Sequence, residues 1–369
     1  MRKLRIILIC SDLTGGGIAR NVYVMSDYWA AQGHCIELLT GDDGSKPDFY
    51  ELDHRIIRCH LALLSRSFNF IDALRNNLRR IFLLRSEIIK WQPDVVISYQ
   101  FTWNILSIIA VIGRRVPVIA FDGSGSWKNT GFIWFLLRRF IYCGAKFVVV
   151  QTERMRSLFP KIIQRKSKVI PNPVLPAPHK TLAQKDKGGS YTIINAGRLH
   201  RVKGLDRLIS AFSRVAAKHP NWNLEFWGEG PDKESLEALV ESLGLKSRVR
   251  INHPVKEIYE KFILADLFVM TSYVEGQPNA LCEAMACGLP VISFDCPYGP
   301  RETIRNGIDG ILVPDGDIEA LAKAMDYLMG DDAARLRLAA RAPEVLKRFG
   351  AERIMKEWDQ LLDEAVKNK

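Results

Sequence analysis

Short apolar runs alternate with amphipathic stretches along almost the whole chain. The apolar runs have the length of buried β-strands, and the stretches between them place apolar residues at helical spacing. This β–α–β alternation predicts a mostly parallel sheet with helices on both faces. In the first part of the chain, the predicted strands are Leu4–Cys10, Ile36–Thr40, Asp94–Ser98, Val116–Phe121 and Lys146–Val150. Helices are predicted from Gly17 to about Gln32 and at Ile71–Lys90, Thr102–Gly113 and Phe132–Tyr142.

The alternation is interrupted once, between Ile170 and Ser190. This segment contains four prolines followed by a run of charged residues and glycines, a composition typical of an interdomain linker. After it the alternation restarts, and the tail from Ala333 to Lys369 is helical and amphipathic. The predicted strands of this second part are Tyr191–Ala196, Asn223–Trp227, Val249–Ile251, Leu267–Met270, Val291–Phe294 and Gly310–Val313.

The pattern therefore predicts two doubly wound α/β domains. We assign residues 1–170 to an N-terminal domain, 171–190 to the linker, 191–349 to a C-terminal domain and 350–369 to a final helix. Ligands of open α/β sheets bind outside the carboxyl ends of the strands. We therefore expect a site in a central cleft that both domains face.

The net charge of +11 is unevenly distributed. Residues 1–170 contain 25 Lys and Arg against 13 Asp and Glu, a balance of +12, whereas the remainder contains 27 against 28, a balance of −1. This asymmetry indicates an anionic partner for the N-terminal half: nucleic acid, an anionic membrane surface or a phosphorylated acceptor. No RNA- or DNA-binding motif accompanies the charge, so we do not expect nucleic acid as a partner.

Cysteine usage and hydropathy both favour a cytoplasmic protein. The seven cysteines form no CxxC pair and no zinc-spaced cluster, which indicates reduced thiols. No apolar run approaches the roughly 18–20 residues of a membrane span. The start, MRKLRIILIC, has a short apolar part and no small-residue cleavage site, so we interpret it as the first strand and not as a signal peptide.

The most informative segment is TSYVEGQPNALCEAMACGLP, residues 271–290. Gly276 and Pro278 predict a turn after the preceding strand, with Asn279 as the N-cap of a helix that stops at Gly288.

Two glutamates flank the start of that predicted helix. Glu275 precedes it and Glu283 lies about one turn inside it, near the positive end of the helix dipole. Backbone N–H groups there can bind a phosphate while the carboxylates accept hydrogen bonds from hydroxyl groups. The alternative is a capped core helix with a solvated glutamate.

A second set of candidate residues is Gly197-Arg198-Leu199 with Lys203-Gly204, between a predicted strand and a helix. A leaving nucleoside diphosphate accumulates negative charge, which a guanidinium and an ammonium group can neutralise. The alternative is a pair of surface cations near a helix start, a placement that the helix dipole disfavours.

Three weaker motifs leave alternatives open. The run Gly15-Gly16-Gly17 lets the backbone approach a ligand or forms a tight βα turn, since Arg20 stands where a dinucleotide fingerprint needs glycine. Asp122 ends a strand, where it either lines the cleft as a catalytic residue or starts a turn. Asp315-Gly316-Asp317 looks like a metal-binding DxD, but a turn followed by an N-cap is the better interpretation.

The spacing Glu275-x7-Glu283 within EGQPNALCEAMACGLPVIS resembles the signature of the large retaining glycosyltransferase family 4. DCPYGPR at 295–301 and NGIDGILVP at 306–314 also resemble that family, most strongly over residues 191–330. The resemblance implies the GT-B fold: two Rossmann-like domains, the C-terminal one holding the nucleotide-sugar. It also implies that the final helix packs back on the N-terminal domain.

The resemblance further implies roles for individual residues. Glu283 would bind the ribose hydroxyls, Glu275 the transferred sugar, and Arg198 with Lys203 the donor diphosphate. Gln277 departs from the more apolar residue common at its position, and we assign it no role. Further donor-binding positions are Gly276, Asn279, Ala280, Leu281, Gly197 and the Gly15, Gly16, Gly17 loop. With two cations available, we expect no metal and no cofactor besides the nucleotide-sugar, most simply a UDP-sugar.

Two predicted helices of the N-terminal half combine arginines with apolar residues. These are Ile71–Lys90, with four arginines, and Phe132–Tyr142, with two. Basic amphipathic helices can lie on an anionic bilayer, and the alternative is core helices with snorkelling arginines. We expect peripheral contact with the inner face of the cytoplasmic membrane.

We therefore expect a hexosyltransferase that moves a hexose or N-acetylhexosamine from a UDP-sugar to a lipid-linked oligosaccharide or lipopolysaccharide precursor. The alternatives are another GT-B enzyme, either a sugar-nucleotide epimerase or a soluble sugar-phosphate glycosyltransferase, and a non-catalytic nucleotide-sugar-binding protein.

Overall fold

The computed structural model describes residues 2–64, 68–123, 140–178 and 189–367. The chain divides into two compact units. The first comprises Met1–Pro173 together with Ile354–Lys369, and the second comprises Val174–Arg353.

The first unit is built on a seven-stranded sheet in the order β3-β2-β1-β4-β5-β6-β7, with every neighbouring pair parallel. Parallel strands need crossover connections, which the helices between them supply. The strands are β1 (Arg5–Cys10), β2 (Cys35–Thr40), β3 (Ile57–His60), β4 (Val95–Tyr99), β5 (Val118–Phe121), β6 (Phe147–Val150) and β7 (Ser167–Val169).

The described helices of this unit lie between the strands, with one exception. They are α1 (Gly16–Ala31), α2 (Phe70–Trp91), α3 (Phe101–Ala110), α4 (Glu153–Ser157) and α5 (Lys161–Gln164). The exception is the final helix, α14 (Ala351–Val366), whose residues from Ile354 onward belong to this unit.

The final helix is anchored by one aromatic pair and one carboxylate. The fully buried rings of Trp29 and Trp358 meet edge to face with centroids 6.0 Å apart. Asp359 accepts hydrogen bonds from Trp29 Nε1 and Tyr28 Oη, each at 3.0 Å. Apolar contact and a satisfied carboxylate together fix α14 against α1.

The second unit has a six-stranded, all-parallel sheet in the order β10-β9-β8-β11-β12-β13. The strands are β8 (Tyr191–Ala196), β9 (Trp222–Trp227), β10 (Val249–Asn252), β11 (Leu267–Met270), β12 (Val291–Phe294) and β13 (Ile311–Val313). The described helices are α6 (Leu205–Val215), α7 (Lys233–Ser242), α8 (Ile258–Leu264), α9 (Asn279–Ala286), α10 (Pro300–Thr303), α11 (Ile318–Gly330), α12 (Asp332–Arg341) and α13 (Val345–Phe349).

The structure corrects the predicted elements at a few places. Strands β3 and β7 were not predicted, and the tail predicted as one helical stretch is divided into α12, α13 and α14. A 3-10 turn at Ala342–Glu344, containing Pro343, separates α12 from α13, and Gly350 separates α13 from α14. Most of the predicted helix Phe132–Tyr142, up to residue 139, and most of the charged linker run lie outside the described residues.

The cysteines are all free, and they differ in burial. Cys10, Cys282, Cys287 and Cys296 are buried, whereas Cys35 and Cys143 are exposed.

Candidate active site

The strand order of the second unit creates a crevice between β8 and β11. These neighbours lie at the point where the chain reverses its direction of winding, because β9 follows on one side and β12 on the other. The loops that leave their carboxyl ends are free to diverge at such a point. The loop after β8 carries Lys203, and the loop after β11 carries Glu275.

Lys203 and Glu275 form an ion pair across this crevice. The distance from Lys203 Nζ to Glu275 Oε1 is 2.6 Å, and Ser272 Oγ donates to the same oxygen at 2.6 Å. The Glu275 side chain is 12% exposed, which makes the contact much less screened than a surface pair. The two residues that the sequence singled out separately therefore meet in one site.

Two hydrogen bonds join the loop after β8 to the loop after β11. Tyr273 N donates to Val202 O at 2.8 Å, and Thr271 Oγ1 donates to Lys203 O at 3.3 Å. Gly204 has φ +57°, and a Cβ there would come within 2.3 Å of Thr271 O. Only glycine permits this approach, so the lysine and the glutamate are held on one rigid support.

The loop that follows β12 contacts the backbone of Glu275 on both sides of that residue's peptide unit. Glu275 N donates to Pro297 O at 3.2 Å, and Gly299 N donates to Glu275 O at 3.1 Å. Tyr298, between them, has φ +86°, a left-handed conformation that is strained for a bulky residue. The sequence gives no signal for this strain, which lies directly beside the candidate sugar-binding glutamate.

Helix α9 completes this side of the site. Its first residue is Asn279, and the N-cap position is occupied by Pro278 without a side-chain cap, so the prediction of Asn279 as N-cap was wrong by one residue. A small cavity at this edge is lined by Lys203, Glu275, Asn279 and Ala280, among others. The start of α9 therefore faces the same space as the ion pair.

Glu283 lies one turn into α9 and is 9% exposed. Leu281 is fully buried, and Gly276 and Gln277 are buried as well. Gln277 Nε2 is 3.6 Å from Cys282 Sγ, which places its amide inward.

The remaining cation, Arg198, is exposed, and its side chain makes no hydrogen bond or ion pair within the described part of the chain. Gly197, just before it, has φ +150°. The two predicted diphosphate-binding cations thus differ: Lys203 is engaged by Glu275, and Arg198 extends from the turn after β8.

Arg207 is a residue that the sequence reasoning missed. Its guanidinium stacks 3.4 Å from the Tyr273 ring centroid and is 3.3 Å from Asp315 Oδ1. Asp315 is therefore paired with an arginine, and Asp317 caps α11 by accepting from Ala320 N at 2.8 Å. This confirms the interpretation of Asp315-Gly316-Asp317 as a turn with an N-cap.

The thiols around the site are protonated at neutral pH. Burial raises the pKa of Cys282 and of Cys287 to about 12 in each case. Burial, helped by the charge of Glu275, also raises the pKa of Cys296 well above its ordinary value. A buried thiol of this kind is inert as a nucleophile. The described residues contain no group of three or more His, Cys, Asp or Glu side chains arranged to hold a metal ion.

In the first unit, the glycine run lies at the corresponding crevice between β1 and β4. Gly15 and Gly16 have φ +136° and +84°, and α1 begins at Gly16. Gln100, at the end of β4, has φ +70° and accepts from Ser11 N at 3.1 Å through Oε1. The sequence reasoning missed this strained glutamine, which fixes the start of the glycine loop.

Asp122 is fully buried at the end of β5. Tyr142 Oη donates to Asp122 Oδ2 at 2.8 Å, and Asn104 Nδ2 donates to Tyr142 Oη at 3.0 Å. The carboxylate therefore has no accessible surface in this structure, and the hydrogen-bond network accounts for its position. Its catalytic role stays a prediction.

Helix α2 is amphipathic in an unusual sense, since it exposes an apolar stripe. Leu84 and Ile88 pack inward, fully or almost fully buried. The opposite face, which we call the α2 face, exposes Phe82 by 67% and carries a row of further residues at helical spacing: Ile71, Leu74, Arg75, Leu78, Arg79 and Ile89. A core helix would bury these side chains. No helix within the described residues is long and apolar enough to cross a membrane.

Two family profiles match the chain, one for each unit. The family described as "Glycosyltransferase Family 4" matches residues 15–177. The family described as "Glycosyl transferases group 1" matches residues 180–345. Together they cover nearly all of the two sheets.

Two individual relatives from bacteria match the chain over nearly its whole length. An exopolysaccharide phosphotransferase of Streptomyces coelicolor is 35% identical over 99% of this chain, and this chain spans 41% of that protein's length. A Campylobacter jejuni protein is 27% identical over 99% of both chains. By its name, that protein is an α-1,4-N-acetyl-D-galactosaminyltransferase acting on a GalNAc-GalNAc-diNAcBac-PP-undecaprenol.

The fold is also found in solved structures. Anabaena HepE, determined with UDP and glucose, aligns with a TM-score of 0.80 at 17% identity and covers 98% of this chain and 99% of its own. The expected fold class, two Rossmann-like α/β domains of the GT-B type, is confirmed.

Proposed function

Because this chain belongs to glycosyltransferase family 4, we propose that it transfers a hexose or N-acetylhexosamine from a UDP-sugar to a membrane-associated glycan, with retention of anomeric configuration. The observation that carries the donor part of the proposal is the meeting of Lys203, Glu275 and the start of α9 at one crevice. It combines a cation, a carboxylate and helix-terminal backbone groups, the three features that a sugar diphosphate requires.

The bond that breaks joins the anomeric carbon to a diphosphate oxygen. We assign neutralisation of the charge on the departing diphosphate to Lys203 and Arg198, with the backbone of Asn279 to Leu281 as further donors. Glu275 orients the hydroxyl groups of the transferred sugar, and Glu283 accepts hydrogen bonds from the ribose. These cations provide the positive charge without a metal ion.

The attacking group in this proposal is a hydroxyl of the acceptor. A protein nucleophile would need an adjacent base, but Glu275 is occupied by Lys203 and Ser272, and the neighbouring thiols remain protonated. The acceptor hydroxyl therefore forms the new bond directly, on the same face as the departing diphosphate, and its proton passes to the diphosphate oxygen whose bond to the anomeric carbon breaks.

We assign the membrane contact to the α2 face. A row of exposed apolar side chains, flanked by Arg75 and Arg79, matches the surface of a helix that lies in the headgroup region of an anionic bilayer. The net charge of +12 in residues 1–170 adds long-range attraction to such a surface. The polyprenyl-diphosphate acceptor named for the Campylobacter relative supports an acceptor of the same class.

The experiment has two stages. A thermal-shift screen with nucleotides and nucleotide-sugars identifies the donor, since a ligand at about 100 times its dissociation constant stabilises by roughly 2.7 kcal/mol. The donor is then incubated with a polyprenyl-diphosphate oligosaccharide, and the anomeric configuration of the product is read by NMR. Binding of UDP without transfer to any lipid-linked acceptor would favour a nucleotide-sugar-binding protein, and inversion would exclude the retaining mechanism.

A further inference from the structure

A groove lies at the amino-terminal edge of the first unit's sheet, away from the strand ends that carry the glycine run. It has a volume of about 470 Å³ and lies between the end of α2 and the loop that joins α3 to β5. Its apolar walls come from α2, from the loop between α2 and β4, and from the loop between α3 and β5. They include Ile88, Ile89 and Val116. Arg114 and Arg115 are the charged residues that line it.

The two arginines are available to bind a ligand. Both are exposed, and their guanidinium groups make no hydrogen bond or ion pair within the described residues. Acidic side chains of the neighbouring segments are already paired: Glu87 with Lys90 and Asp94 with Arg2, each at 3.4 Å. Two adjacent guanidinium groups beside apolar walls favour an oxyanion such as a phosphate.

The groove is held in shape by a third arginine. Arg85 Nη1 donates to Ala110 O and to Ile112 O at 2.8 Å each, which ties the end of α3 to α2. The loop that carries Arg114 is thus fixed relative to the helix. A preformed site needs less ordering on binding, and this raises affinity.

The groove is continuous with the α2 face. Ile89 belongs to both, and Ile112, which is 65% exposed, adjoins the same loop. A bilayer in contact with the α2 face therefore presents its headgroups to Arg114 and Arg115. We propose that this groove binds the phosphate of an anionic phospholipid, separately from the donor and acceptor sites. The inference rests on the membrane contact proposed above.

The test compares vesicle binding of the whole protein and two double variants. In Arg114→Gln/Arg115→Gln both groove charges are removed. In Lys161→Gln/Arg165→Gln the same charge is removed beside β7, the edge strand that lies two positions from β5. Flotation with phosphatidylcholine vesicles, with and without phosphatidylglycerol, measures partitioning, and a melting curve verifies that each variant folds.

The partitioning of the groove variant onto vesicles with phosphatidylglycerol should fall about tenfold or more, because each cation near the membrane contributes about 1 kcal/mol. Its binding to pure phosphatidylcholine vesicles should equal that of the wild type. The control variant should lose clearly less. Equal losses in the two variants would show general charge attraction and overturn the site. If millimolar glycerol phosphate abolishes the preference of the wild type for anionic vesicles, the groove is a site for a soluble anion instead.

A wild-type protein that does not bind anionic vesicles would overturn both the phospholipid site in the groove and the membrane contact of the α2 face. UDP binding and sugar transfer are measured in separate assays, so a failure of the proposed transferase activity is distinguished from a failure of the phospholipid site.

Discussion

Lys203 Nζ lies 2.6 Å from Glu275 Oε1, so the predicted diphosphate-binding cation and the predicted sugar-binding carboxylate neutralise each other before any donor arrives. A diphosphate must compete with Glu275 for this ammonium group. The pair therefore holds both side chains in position and at the same time opposes donor binding. Its two halves should respond differently to substitution.

Removal of the lysine should reduce catalysis. Lys203→Ala should lower turnover about 100-fold or more, the usual scale for one preorganised charge-stabilising group. The matched control is Lys246→Ala, since that side chain is 80% exposed and pairs with Glu241 at the surface. Wild-type turnover in Lys203→Ala would remove the diphosphate assignment.

Neutralisation of the glutamate should separate binding from turnover. Glu275→Gln removes the negative charge that competes for Lys203, so UDP should bind at least as tightly as it does to the wild type. Transfer should fall because the sugar hydroxyls lose a charged hydrogen-bond acceptor. Calorimetric titration with UDP and a steady-state assay measure the two effects. Weaker UDP binding in this variant would contradict the competition.

The assignment of Glu283 to the ribose predicts that its substitution weakens nucleotide binding and leaves folding intact. Glu283→Gln keeps the shape of a side chain that is 9% exposed, so the protein should fold but lose most of its thermal stabilisation by UDP. Glu237→Gln, on an exposed face of α7, serves as the control. Equal UDP shifts in both variants would place the ribose elsewhere.

Transfer should not depend on a divalent metal. In the proposed site, Arg198 and Lys203 supply the positive charge that a metal ion provides in other enzymes. Incubation with EDTA should leave the rate unchanged, measured with protein purified in its presence. A loss that Mg²⁺ or Mn²⁺ restores would contradict the metal-free assignment.

The α2 face should control partitioning onto membranes. Leu78→Ser/Phe82→Ser removes two exposed apolar groups, and binding to anionic vesicles should fall about tenfold or more on the scale of apolar burial. Leu336→Ser, at a residue 53% exposed in the second unit, controls for the loss of surface hydrophobicity. Unchanged partitioning in the α2 variant would place the membrane contact elsewhere.

Glu37 predicts a pH-dependent stability. Burial, and secondarily the charge of Glu87, raise its pKa from 4.5 to about 7, and its Oε2 has no hydrogen-bond partner among the described residues. The ionised carboxyl is therefore disfavoured in the folded state. The stabilisation associated with the proton is complete below about pH 4.5 and is lost as the pH rises through 7.

Glu37→Gln should accordingly raise the free energy of unfolding at pH 8 by about 1–2 kcal/mol, a reduced figure that allows for partial screening of the carboxyl. The gain should shrink towards pH 5. Denaturant titrations at the two pH values measure it, and an equal gain at both would exclude titration of Glu37 as the cause.

The central strands of both sheets could be predicted from the sequence, and the edge strands of the first sheet could not. β11 and β12 are predicted to the residue because strands buried on both faces are continuous apolar runs. β3 (IRCH) and β7 (SKV) are the outermost strands of their sheet and contain polar residues, so no apolar run marks them.

The sequence identified residues of the candidate site, but it could not show which of them are in contact. Lys203 and Glu275 are 72 positions apart, and their pairing depends on β8 and β11 being neighbours. The left-handed Gln100 and Tyr298 leave no trace in composition, since neither residue type favours that conformation. For Asp122 the sequence left two interpretations open, because a strand-end carboxylate looks the same whether it faces a ligand or a buried tyrosine.

The return of α14 to the first unit affects how the protein is made. The ribosome releases the chain from its N-terminus, so all of Val174–Arg353 emerges before Trp358 and Asp359 can reach Trp29. Until they do, the first unit has an uncovered apolar surface around Trp29 although its sheet has already been synthesised. A released chain truncated before Ile354 should therefore carry one finished unit and one that still needs a chaperone.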